Sequence, residues 1–93
     1  AALVLISNDI ATKMGAQDSS CAAENIMLAA NAYGLGSVWI NALLTMCDTR
    51  KLETVKAVGI PERHQVWAMI ALGYPEGEAK SPKRNLDVVH YVK

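Results

Sequence analysis

Hydrophobic positions along this chain fall into unbroken blocks parted by short polar stretches. Ala2-Leu3-Val4-Leu5-Ile6 is apolar throughout and stops at Ser7-Asn8-Asp9, which predicts a strand covered on both faces, central in a sheet. Gln65-Val66-Trp67-Ala68-Met69-Ile70-Ala71-Leu72-Gly73-Tyr74, closed by Pro75, predicts a second central strand. Residues 8–17 are mixed and polar and read as a loop holding at most a short helical turn. Asp18, Ser19 and Ser20 then offer N-cap oxygens to an Ala-rich helix over 21–33, with Gly34 placed to end it. Its polar positions, Glu24, Asn25 and Asn31, are so few that the helix reads as buried nearly all round.

Gly34-Leu35-Gly36 turns into Ser37-Val38-Trp39-Ile40, a short strand, followed by apolar Ala42-Leu43-Leu44. Asp48 or Thr49 can cap a second helix with Leu52, Val55 and Val58 on one side and Arg50, Lys51, Glu53 and Lys56 facing water. Gly59 fits the position just past that helix, Ile60 the next one, packed on Val55, and Pro61 forbids continuation. A polar tail with Pro75, Gly77 and Pro82 leads to Val88-Val89-His90-Tyr91-Val92, whose β-branched and aromatic character suits a strand in need of a neighbour. Strands interleaved with helices imply an α+β fold with α/β-type layers, helices packed on a central sheet. No repeat or linker divides residues 1–93, which read as one partial domain.

Composition adds a constraint on size. A chain of 93 residues, 52% of them hydrophobic, buries a small share of its surface alone, so a core this apolar is expected to lean on a partner chain or on further sequence. The chain opens directly in its first apolar strand without an initiator Met, and reads as part of a longer protein. No apolar run approaches the ~20 residues of a membrane span and no leader is visible, so a cytoplasmic protein with no membrane association is expected. Nine acidic and nine basic side chains cancel, leaving no electrostatic footprint for nucleic acid. Cys21 and Cys47 lack metal-ligand spacing and read as buried small hydrophobes in a reducing compartment.

Candidate chemistry is sparse. His64, in a polar loop after Pro61-Glu62-Arg63, and His90, on the terminal strand, have no local nucleophile and carboxylate arranged as a triad, so no catalytic residue is named. Gly34-Leu35-Gly36 follows a helix and precedes a strand, the reverse of a dinucleotide-binding loop, and the third glycine is absent. Lys80, Lys83 and Arg84 place three cations in the tail, where Arg can fork onto a phosphate. Taken alone, such a cluster is more often a solvated surface.

The stretch from Cys21 to Ile40, an Ala-rich helix ending in Gly34-Leu35-Gly36-Ser37 and a short strand, strongly resembles the nitroreductase family. Two further blocks agree in order: Gly59-Ile60-Pro61-Glu62 leading to Ala71-Leu72-Gly73-Tyr74-Pro75, and Pro82-Lys83-Arg84 leading to Val88-Val89-His90. The resemblance implies FMN as cofactor, NADH or NADPH as co-substrate, and a nitroaromatic, quinone or similar small molecule as electron acceptor. It puts Trp39, Ile40, Asn41 and Ala42 beside the isoalloxazine, with a backbone N–H addressing the ring nitrogen that carries hydride, and sets Lys83 and Arg84 on the phosphate. Many members have Gly where Ala42 stands, and several an acidic residue at Asn41. A backbone donor survives the first change; the second alters the polarity of the pocket. Members are typically intertwined homodimers whose C-terminal segment reaches the partner's sheet, which would give residues 88–92 their neighbour. The family's N-terminal half carries an Arg-Ser-x-Arg-type segment for the phosphate and ribityl chain. No such segment occurs here, so the chain resembles the C-terminal half, and the 93 residues alone are expected to bind FMN weakly or not at all. Two other readings stay open: another enzyme of the same flavin fold, such as a reductive dehalogenase or a flavin-fragmenting enzyme, and a non-enzymatic module in which the helix over 21–33 makes a dimer.

Overall fold

The computed structural model describes residues 1–45 and 47–93, with Leu44, Thr45 and Asp48 described by their backbone alone. Among them a three-stranded antiparallel sheet runs in the order β1-β3-β2, built from β1 (Ala2–Asp9), β2 (Gly36–Ile40) and β3 (His64–Gly73). The long apolar run over 64–73 is the central strand, as its pattern predicts. β1 corrects the expectation of a second central strand: its outer edge has no neighbour among the described residues, and Leu3 is 50% exposed. An apolar run signals cover on both faces, and cover supplied by other polypeptide leaves the same signal as a central position. The β1–β3 register shifts between Ile6 and Ser7, so that Ala68 faces Ile6, Val66 faces Ser7, and Trp67 has no partner across the ladder. Such a bulge re-aims a side chain.

α1 (Gly15–Ala32) lies on the sheet. It starts six residues before the predicted helix, at Met14 rather than at Asp18-Ser19-Ser20, and without a side-chain cap. Its buried residues, Gly15, Ser19, Ala23 and Ala30, form one stripe at helical spacing. The rest of its surface is largely open, with Leu28 60% exposed, so burial nearly all round is not what this chain provides. Two tertiary contacts explain the early start. Asn8, at the end of β1, donates from Nδ2 to the Gly15 carbonyl at 2.9 Å and to Ser19 Oγ at 2.8 Å. Close approach to the bulged Trp67 then requires glycine at the first turn, because a Cβ at Gly15 would lie 2.8 Å from Trp67 Nε1. Of residues 8–17, then, 8–9 end the strand and 15–17 start the helix, and the loop over 10–14 between them is tied by the Asp9 carboxylate, which accepts the Ala11 N–H at 2.8 Å.

The core is small. Ala23, Ala68 and Ile70 form its buried centre, with Val4, Ile6, Ile26, Met27, Trp39 and Leu72 packed around it. Gly34 ends α1 with φ 75°, the Gly34 N–H reaching the Asn31 carbonyl at 3.0 Å and the Leu35 N–H reaching that of Ala30 at 2.8 Å. The same paired bonding closes α3 (Asp48–Ala57) at Gly59, φ 81°, where Gly59 N–H bonds the Lys56 carbonyl and Ile60 N–H that of Val55. Both stops follow from glycine's freedom in the left-handed region. α2 (Ala42–Thr45) is a single turn after β2. The N-cap of α3 is Cys47, one residue before the predicted Asp48 or Thr49. On the predicted apolar side of α3, Leu52 and Val58 stay exposed here.

Beyond Gly73 the tail is exposed, with one 3₁₀ turn at Leu86–Val88. Residues 88–92 form no strand: β-propensity without a neighbouring strand leaves backbone groups unpaired, and no strand pairs with them among the described residues. Cys21 and Cys47 are exposed free thiols, correcting the expectation that both are buried. Cys21 lies off the narrow stripe that α1 turns to the sheet. The accessible surface of 7699 Å² compares with roughly 5,200 Å² for a compact monomer of this mass. The radius of gyration of 16.2 Å likewise exceeds the about 12 Å of a compact domain. The chain therefore does not close its own core.

Candidate functional site

The turn over residues 40–42 is held from below. Ile40, the last residue of β2, pairs with Met69, and Trp39 pairs with Ile70 at the buried centre of β3. Leu43, in α2, is 2% exposed and anchors the other side of the turn. The space beneath, between Ile40, Leu43, Val66 and Met69, is filled, so a ligand at this turn has to lie over its outer surface, where Asn41 and Ala42 are exposed. Trp39 Nε1 donates to Asn41 Oδ1 at 2.8 Å.

Lys83 and Arg84 stand in the exposed tail beside a shallow depression of about 360 Å³ that Asn85, Leu86 and Asp87 complete. Asn85 shapes this segment by accepting the Asp87 N–H on Oδ1 at 3.0 Å. Neither cation bonds to another described residue, so both are open to an anion. Within one chain the hollow at the turn and the depression at the cations have separate linings, Ile40, Asn41 and Leu43 with β3 in one and Lys83 to Asp87 in the other.

His64 is the first residue of β3, not a loop residue, and its Nδ1 lies 2.9 Å from Ser7 Oγ. His64 borders a cleft of about 240 Å³ against α3 that also meets Lys51 and Glu62. Ser7 and His64 are 57 positions apart, and nothing in the sequence links them. His90 is exposed and outside any strand. A second hollow, of about 430 Å³, opens between Gly34, Gly36, Pro75 and Gly77 where α1 meets the tail. Among the described residues no His, Cys, Asp and Glu cluster could hold a metal ion, and no helix is long and apolar enough to cross a membrane.

A central antiparallel strand backed by an Ala-rich helix, with an exposed turn at the end of the neighbouring strand, is an α+β arrangement that the chain shares with solved FMN-bound proteins. Nearly the whole chain, 98%, superposes on a Bacteroides fragilis nitroreductase crystallised with bound FMN, with a TM-score of 0.84 at 33% identity, and covers 50% of that protein. The same share superposes on iodotyrosine deiodinase bound to FMN and 3-iodo-L-tyrosine, with a TM-score of 0.72 at 25% identity, covering 46% of it. The model of the nitroreductase family matches residues 1–74, and the chain belongs to that family. A protein of Archaeoglobus fulgidus, provisionally named NADH dehydrogenase/NAD(P)H nitroreductase, is 42% identical over 65 residues, 70% of this chain and 36% of its own length. The chain spans about half the length of these relatives, or less.

Proposed function

We propose that the protein is an FMN-dependent oxidoreductase that draws electrons from NADH or NADPH and delivers them to a nitroaromatic, quinone or related small acceptor. The observation that carries this reading is the superposition of 98% of the chain on an FMN-bound nitroreductase. When bound, FMN supplies the two-electron chemistry, and the protein supplies binding, orientation and electrostatics.

The residues present fit that cofactor in their donor chemistry. Trp39 and Ile40, half-buried at the end of β2, carry the exposed Asn41 and Ala42, an arrangement suited to the isoalloxazine. Lys83 and Arg84, which bond to no other described residue, are cations suited to its phosphate. The two groups line separate hollows, so the reading calls for a homodimer in which further polypeptide joins them, with residues 1–93 as one partial domain of each subunit. The excess exposed surface supports that assembly. A cytoplasmic location goes with the same reading, since the nicotinamide cofactors are kept there.

A reductive dehalogenase is the second reading, favoured by the match to iodotyrosine deiodinase. Purified full-length protein is expected to be yellow, to bleach with NADH or NADPH under nitrogen, and to regain colour with a quinone or nitroaromatic. Recovery with a haloaromatic alone would select the second reading. A colourless protein that ignores added FMN would contradict both and favour a non-enzymatic dimerisation module.

A further inference from the structure

Trp39 and Asn41 stand two residues apart across the end of β2, a spacing that puts side chains on the same side of a strand. The 2.8 Å bond between them runs from the indole Nε1 to Asn41 Oδ1. An indole N–H can only donate, so it must take the carbonyl end of the amide and leave the NH₂ end as the free one. Asn41 is exposed, and its Nδ2 bonds to no other described residue. Trp39 is itself packed against the core of Ala23, Ala68 and Ile70 and paired with Ile70 through its backbone. The result is an exposed amide tied to a half-buried indole that packs on the core.

We infer that Trp39 is a positioning residue whose indole aims the Asn41 amide NH₂, a neutral donor, at an acceptor oxygen of the reacting system. This rests on the flavin reading above. Taking up electrons builds negative charge on such oxygens, whether a carbonyl of the flavin or the nitro or quinone oxygen of the acceptor. A donor already fixed in place stabilises the charged state more than the oxidised one and needs no reorganisation as the electrons arrive. Packing alone would also favour a partner for a half-buried indole N–H, so the test has to read the electrons and not the fold.

Two variants of the FMN-loaded full-length protein separate these roles. Trp39→Phe keeps a packed ring and removes the donor; Asn41→Asp keeps an acceptor for the indole and replaces the free amide with a carboxylate. Where the carboxylate reduces flavin retention, Asn41→Leu removes the donor without adding charge. If the oxygen is the flavin's, Asn41→Asp lowers the two-electron potential by about 30 mV, a tenfold change in the reduced-to-oxidised ratio, and Trp39→Phe shifts it the same way by less. If the oxygen is the acceptor's, the potential stays and kcat/KM for the quinone or nitroaromatic falls about tenfold, as for one lost hydrogen bond, while flavin reduction by NAD(P)H is unchanged. Variants equal to wild type in potential and in kcat/KM would overturn the inference. Wild-type protein that takes up no FMN would overturn the flavin reading, and this inference with it, before any variant is compared.

Discussion

Ile70→Ala is expected to lower the stability of the full-length protein by about 2–5 kcal/mol, the range for truncating a fully buried aliphatic side chain. Ile70 is 0% exposed at the middle of the central strand, paired with Val4 on one side and Trp39 on the other, and stands in the buried centre with Ala23 and Ala68. Ala23 and Ala68 are too short to reach into the space, so any relaxation falls to the larger side chains packed around them, such as Ile26, Met27 and Leu72. A loss within that range is a large part of the ~5–15 kcal/mol that holds a typical domain folded. Chemical denaturation with an unchanged m-value measures it. A cost below about 1 kcal/mol would show that this site relaxes as a loosely packed one does.

Replacing both tail cations, Lys83→Ala with Arg84→Ala, is expected to weaken FMN retention while the fold stands. Neither side chain bonds to another described residue and both are exposed, so their removal deletes no contact seen in the chain. Charge-assisted bonds to a phosphate contribute about 1.5–3 kcal/mol each, so losing even one weakens binding by roughly tenfold to a hundredfold. Flavin released on dialysis, together with circular dichroism, separates the two effects. Equal flavin content in variant and wild type would remove the tail from the cofactor site, leaving the turn over residues 39–42 without its second anchor. Arg84→Ala alone should show the same direction with a smaller loss, because Lys83 remains.

The parts of this fold that were legible in the sequence are those decided locally. Gly34 and Gly59 stop their helices because the chain turns through positive φ there, a conformation that glycine adopts at little cost. The run over 64–73 is long, apolar and bounded, and is the central strand. What was not legible depends on contacts distant in sequence. The start of α1 is set by Asn8 and by the bulged Trp67, and its buried stripe is made of Gly15, Ser19, Ala23 and Ala30. Such small residues give little hydrophobic contrast to read. The position of β1 at an edge, the exposure of Cys21 and Leu28, and the unpaired residues 88–92 share one cause. Patterning records every surface a sequence is adapted to cover, including surfaces that this chain alone leaves open.

At the candidate site, the nitroreductase-like blocks single out Asn41, Lys83 and Arg84 as candidates, and all three are exposed. Their side chains add what those blocks leave out. The bond from Trp39 to Asn41 follows from the two-residue period of a strand and could have been anticipated from spacing. The pairing of Ser7 with His64 could not, because it depends on the register of β1 against β3 and on the shift at Ile6.

A crystal structure of the full-length protein loaded with FMN tests the account most directly. One flavin phosphate should touch the Asn41-Ala42 turn near its ring and Lys83 or Arg84 at its phosphate, counting both subunits of the assembly. FMN bound with either group on a separate surface, touching neither ring nor phosphate, would contradict it.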